Sequence, residues 1–122
     1  MRWLMRSKIH KATVTQADLH YVGSITIDPN LMEAVGLWPG EKVLVTSNTS
    51  GARLETYTIE AERGSGEVCM NGAAAHLIDA GEEIIIMGFE LANQPIEAKV
   101  ILVTDKQNLS FEPIAEVQST AL

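Results

Sequence analysis

The pair Gly23-Ser24, set within Asp18-Leu19-His20-Tyr21-Val22-Gly23-Ser24-Ile25, offers unusual chemistry: a peptide bond that its own serine can open. The Ser24 hydroxyl attacks the Gly23 carbonyl carbon, and the tetrahedral oxyanion collapses to an ester. Removal of the serine α-hydrogen then allows β-elimination, which expels the upstream chain as a carboxylate. The dehydroalanine left behind hydrolyses to a pyruvoyl group with loss of ammonia. Glycine suits the attacked position because it tolerates strained backbone and close approach. A donor placed at the oxyanion contributes roughly 3 to 4 kcal/mol in comparable acyl chemistry. Alone, Gly-Ser is a common turn pair, in which glycine supplies backbone freedom and serine bonds to nearby amides. The surrounding elements decide between the two.

The chain of 122 residues is long enough for one core and too short for two, so a single domain over residues 1–122 is expected. Hydrophobic residues at 46% and charged residues at 20% give a folded globular composition. The lone Cys69 excludes an intramolecular disulfide and a cysteine-based metal cluster, which favours a reducing cytoplasm and a small buried side chain. Met-Arg-Trp-Leu-Met-Arg at the start is not followed by the apolar stretch of a signal peptide, and the longest apolar block, Ile84 to Met87, is strand-sized, so no membrane partner is expected. A net charge of -7 opposes binding to nucleic acid or anionic lipid. The charge is uneven: residues 1–23 carry +3, which leaves -10 on residues 24–122. Basic residues beside the reactive pair suit an anionic substrate.

Short apolar runs between turn residues predict strands at Arg6–Val14, Ser24–Ile27, Glu41–Ser47, Arg53–Ala61, Glu67–Met70, Glu82–Glu90, Ile96–Thr104 and Leu109–Ile114. Alternation puts Arg53, Glu55, Tyr57 and Ile59 on one face of their strand, with Leu54, Thr56 and Thr58 on the other. Asn48-Thr49-Ser50-Gly51 reads as a hairpin turn. Short helices are expected at Thr15–His20, with Thr15 as N-cap, and at Pro29–Val35, stopped by Gly36. Asn71 to Leu77 reads as a loop entering one helical turn, and residues 118–122 as a disordered tail. Many strands and few helices in one domain favour a small β-barrel, which removes exposed edges.

Lys8-Ile9-His10, Asp18 to Ser24, Arg53-Leu54-Glu55-Thr56-Tyr57, Ala61-Glu62-Arg63-Gly64-Ser65 and Asn71-Gly72-Ala73-Ala74-Ala75-His76, in this order over about the first ninety residues, resemble the bacterial pyruvoyl-dependent aspartate decarboxylases of pantothenate synthesis. The resemblance implies a mainly β fold, a double-ψ β-barrel with a few short helices, assembled as a homotetramer. It also implies a proenzyme cut between Gly23 and Ser24 into a β chain of residues 1–23 and an α chain of residues 24–122 that bears the pyruvoyl group made from Ser24. The substrate is then L-aspartate. Its amino group would form a Schiff base with the ketone, which draws electrons as the α-carboxylate leaves as carbon dioxide and β-alanine is released.

Carried over by position, the resemblance makes Thr56 the hydroxyl that assists scission at Gly23 and Tyr57 the proton donor. Arg53 suits a carboxylate because its planar guanidinium can grip one with two parallel hydrogen bonds, and Lys8 adds a second cation. Asn71, Gly72, Ala73 and Ala74 offer small side chains and backbone amides to a ligand, while His10 and Tyr21 support the site. Each residue has a plainer role: Thr56 and Tyr57 as strand residues, Lys8 and Arg53 as solvated charges, His10 as a structural histidine. Glu60, Glu62 and Arg63 read as structural charges, and Met32, Met70 and Met87 as core.

Ile25 departs from the cysteine or threonine that relatives often carry there, and no motif matches after Phe89. The three histidines lack metal-binding spacing, so no metal is expected. Two other function classes compete: a non-catalytic barrel serving binding or interaction, and a pyruvoyl decarboxylase of another amino acid. A maturation factor is a further candidate partner.

Overall fold

The computed structural model describes residues 1–115; the tail expected to be disordered, residues 118–122, lies outside them. Nine strands form one mixed sheet: β1 (Arg2–Thr13), β2 (Gln16–Asp18), β3 (Ser24–Ile27), β4 (Lys42–Ser47), β5 (Arg53–Glu60), β6 (Val68–Asn71), β7 (Glu83–Ala92), β8 (Lys99–Val103) and β9 (Phe111–Pro113). Their order is β2-β6-β3-β5-β4-β7-β1-β8-β9. Among the described residues one α-helix, α1 (Pro29–Val35), packs on β1 and β8, and a 3-10 turn covers Gly72–His76. The mainly β expectation holds at this level. Among the described residues no helix is long and apolar enough to cross a membrane.

β1 lies between antiparallel β7 and parallel β8. It starts earlier than its apolar pattern suggests, because Arg2 to Met5 pair with Ala92 to Phe89. A bulge between Ile9 and Ala12, with Lys11 at φ 65°, inserts an extra residue and keeps both Ile9 and Ala12 in the core. Ile25, Ile27, Leu31, Met32, Met70, Ile84 and Ile86 fill that core from four further elements. Met87, expected among them, is only half-buried.

The hairpin at Asn48–Gly51 and the helix stopped by left-handed Gly36 are as expected. The helix expected at Thr15–His20 is not formed. The Thr15 hydroxyl, instead of capping a helix, accepts from Val68 N at 3.0 Å and donates to Val68 O at 3.1 Å, which draws the chain onto β6 as strand β2. The Asp18 carboxylate then accepts from His20 N at 3.0 Å and turns the chain. The last two strands are shorter than their apolar runs. Asp105 takes the amides of Leu109 and Ser110 into its carboxylate, so the second run begins as a loop. Arg63 bonds Glu33 and Asn30, as a structural charge should, and that hydrogen bond holds the Glu33 carboxyl below the usual carboxylate range.

Asp28, nearly inaccessible to solvent, organises the turn between β3 and α1. Oδ1 accepts from Asn30 N at 2.9 Å, the N-cap bond of α1, and from Gly64 N at 3.1 Å; Oδ2 accepts from Gly66 N at 2.9 Å. One carboxylate therefore joins the end of β3, the start of α1 and the loop between β5 and β6. Asp28→Asn keeps the oxygen that accepts from Asn30 and Gly64 but sets an N–H pair against the Gly66 N–H, leaving that buried amide unmatched. It should lower unfolding stability by about 2 to 4 kcal/mol, read as a shifted urea midpoint at unchanged slope.

Candidate active site

β3 opens on Ser24, which is fully buried, and runs antiparallel to β6 with Ser24 opposite Asn71 and Thr26 opposite Cys69. Residues two apart share a face of a strand, so these four side chains form a square block. Asn71 Nδ2 donates to Ser24 Oγ at 2.9 Å and to Thr26 Oγ1 at 2.8 Å, while Cys69 Sγ donates to Asn71 Oδ1 at 3.2 Å. Ser24 Oγ donates in turn to the Val22 carbonyl at 3.0 Å. Burial, then the charges of Glu67 and Asp18, push the Cys69 thiol up, so its sulfur keeps a proton to donate. The buried position expected for Cys69 is correct, but its surroundings are polar. An open cleft of about 270 Å³ borders the block, lined by Asp18, Tyr21, Thr26, Glu60, Cys69 and Asn71 among others.

Glycine's contribution differs from the one expected. Gly23 is not in the left-handed region, and a Cβ added there would meet nothing within 4 Å. The steric demand falls on Gly72, at φ 64°, where a Cβ would lie 2.7 Å from Gly23 Cα and 3.1 Å from Tyr21 O. The 3-10 turn thus backs directly onto Gly23. Of the other predicted lining residues, Ala73 is exposed and Ala74 packs against the core.

β5 runs parallel to β3, with Ile25 level with Thr58. Extending that register back two residues brings Gly23 level with Thr56 and Ser24 with Tyr57. Thr56 is half-buried; Arg53, Glu55 and Tyr57 share the exposed face, as alternation requires. Among the described residues no hydrogen bond joins Thr56 to Gly23. Lys8 and His10 sit on β1, paired with β7 and β8, and three strands intervene between β1 and β3 in the sheet order. The cleft beside Ser24 is lined by Asp18, Glu60 and Glu67 and by neither predicted cation. Among the described residues no three His, Cys, Asp or Glu side chains converge to hold a metal ion.

The sequence model of the aspartate decarboxylases matches residues 1–110. The chain belongs to this family. An aspartate 1-decarboxylase from Neisseria meningitidis is 48% identical over 120 residues, covering 92% of this chain and 94% of the relative. One from Exiguobacterium sibiricum is 52% identical over 111 residues, covering 88% and 87%, and one from Staphylococcus aureus is 45% identical over 123 residues, covering 98% and 97%. Family membership makes the chain a carboxy-lyase and sets aside the non-catalytic barrel. The match also continues past Phe89, where no motif could be read.

Two members of the block, Thr26 and Cys69, escaped the motif reading. The available signal was spacing: each stands two residues from a predicted site residue on the same strand. Gly72→Ala should force the new methyl into Gly23 and displace Gly23-Ser24. We expect at least a tenfold drop in the fraction of chain cut at Gly23-Ser24, measured by denaturing mass spectrometry.

Proposed function

We propose that the chain is a self-processing proenzyme whose Ser24 becomes a pyruvoyl group, and that the mature protein converts L-aspartate to β-alanine and carbon dioxide for pantothenate synthesis. The observation that carries this reading is the Ser24 hydroxyl, buried at the head of β3 and bonded by Asn71, with Gly72 pressed against Gly23. Processing yields residues 1–23 and 24–122. The site fits the group: a pyruvoyl unit is planar, similar in size to the serine it replaces, and would stand next to the Asn71 amide donor. Once formed, the pyruvoyl group supplies an electrophilic carbonyl able to accept the electrons of a departing carboxylate.

The remaining roles belong to the protein's own side chains. Thr56, level with Gly23 in the extended register, provides a hydroxyl for the scission step. Tyr57, partly exposed on the next position, delivers a proton to the former α-carbon of the substrate. Arg53 and Lys8 hold the two carboxylates in the assembled protein, since within one chain three strands separate β1 from β3 and neither cation lines the cleft; His10 and Tyr21 support the site, and Asn71, Gly72, Ala73 and Ala74 line it. Closure of the sheet as a double-ψ barrel, a cytoplasmic location, a homotetramer and an accessory maturation factor complete the reading. Exposed Trp3, Trp38 and Val22 support assembly, since large apolar side chains at a surface favour burial against another one.

Intact mass of the purified protein under denaturing conditions tests the processing. Two fragments are expected, one ending at Gly23 and one beginning with a pyruvoyl group in place of Ser24; Ser24→Ala should remain a single folded, inactive chain. Persistent full-length wild-type protein would sink the claim of spontaneous maturation. Arg53→Ala should act chiefly on aspartate turnover, lowering kcat/KM by at least tenfold, as expected when a charge-assisted bidentate contact is lost. Unchanged kinetics would remove Arg53 from the site.

A further inference from the structure

Asn71 is the only described partner that gives an N–H to the Ser24 hydroxyl, and its amide could in principle face either way. Three bonds settle the matter. Ser24 spends its own proton on the Val22 carbonyl, so its oxygen requires a donor from Asn71. Thr26 Oγ1 accepts the second amide N–H at 2.8 Å, and the Cys69 thiol donates to the amide oxygen at 3.2 Å. Each polar atom of the carboxamide has a partner, and two of those partners have no assigned role.

We infer that Thr26 and Cys69 are positioning residues for maturation: they lock the Asn71 carboxamide with its N–H group on Ser24 Oγ, where charge arrives during elimination. The inference rests on the self-processing reading. In the elimination, water takes the Ser24 α-proton and the C–H electrons form the Cα=Cβ double bond. The Cβ–Oγ bond breaks, and its electron pair stays on Oγ, which departs as an oxygen of the Gly23 carboxylate. An N–H already aimed at that oxygen stabilises the charge as it develops, without rearrangement at the moment of reaction. The same N–H engages a lone pair of the attacking hydroxyl, so it gives the earlier acyl shift no help. Loss of the lock must therefore slow the second step in particular.

Thr26→Val keeps the β-branched shape and removes the acceptor; Thr26→Ser keeps the acceptor. In freshly refolded protein, pyruvoyl-bearing fragment should form about tenfold more slowly in Thr26→Val than in wild type. The uncut chain of that variant should contain more ester, detected as added cleavage by hydroxylamine into a Gly23 hydroxamate and a fragment with an amino-terminal Ser24. Thr26→Ser should mature at the wild-type rate. Cys69→Ala should shift both readouts the same way, with Cys69→Ser restoring them, which provides an independent test should Thr26→Val not fold. Maturation of Thr26→Val and Cys69→Ala at the wild-type rate, or slowing without any gain in hydroxylamine-sensitive chain, would overturn the positioning role. Wild-type protein that yields no pyruvoyl fragment would instead overturn the self-processing reading beneath it.

Discussion

A buried carboxylate with three backbone partners sets the frame on which the site is built. Asp28 must find hydrogen bonds in the interior, and the arrangement that supplies them brings Asn30, Gly64 and Gly66 together. That convergence ends β3 where α1 begins, and returns the loop after β5 to the start of β6. With both ends fixed, β3 and β6 pair from Ile27 and Val68 back to Ser24 and Asn71. Ser24 thus meets the Asn71 amide because a carboxylate at the far end of the same ladder fixes the register. Asn108 works in parallel at another junction. Its carboxamide bonds the N–H and carbonyl of Thr13, both at 2.8 Å, and the Gly66 carbonyl at 2.9 Å. It behaves as a piece of substitute backbone that joins β1 to the Asp28 loop.

The block around Ser24 shows how polar groups share one face of a half-buried strand pair. Two hydroxyls, a carboxamide and a thiol satisfy one another at the edge of an open cleft, and their bonds hold a donor oriented at Ser24. The acidic lining of the adjoining cleft and the cations on β1 and β5 are separate in this fold.

Much of the fold was legible because local chemistry and tertiary context agree. Gly36 can end a helix anywhere, and the alternation from Arg53 to Thr58 produces the observed exposed and covered faces. Disagreement arose where a polar side chain had two good uses. Thr15 is an excellent cap residue, yet its hydroxyl bridges two strands, a choice fixed by Val68, more than fifty residues away. Asn108 and Asp28 read as loop residues until their long-range partners are known. At the site, the motif pointed to Ser24, Asn71 and Gly72, which the fold brings together. It passed over Thr26 and Cys69 because their contribution is to hold another side chain. Gly23 was expected to matter for its own backbone freedom, whereas the close fit belongs to Gly72.

The place of β1 has a consequence for the life of the protein. Residues 1–23 are no terminal tail: β1 is an interior strand between β7 and β8, and β2 lies along β6. A cut after Gly23 would leave that segment threaded through the sheet and held by backbone ladders. Folding before the cut is a first-order event within one chain, but reassembly after it is a second-order encounter between two. Unfolding of a nicked molecule would then become harder to reverse on dilution, although the folded contacts are unchanged. Such a protein has one opportunity to fold easily, and chemistry at Ser24 would close it.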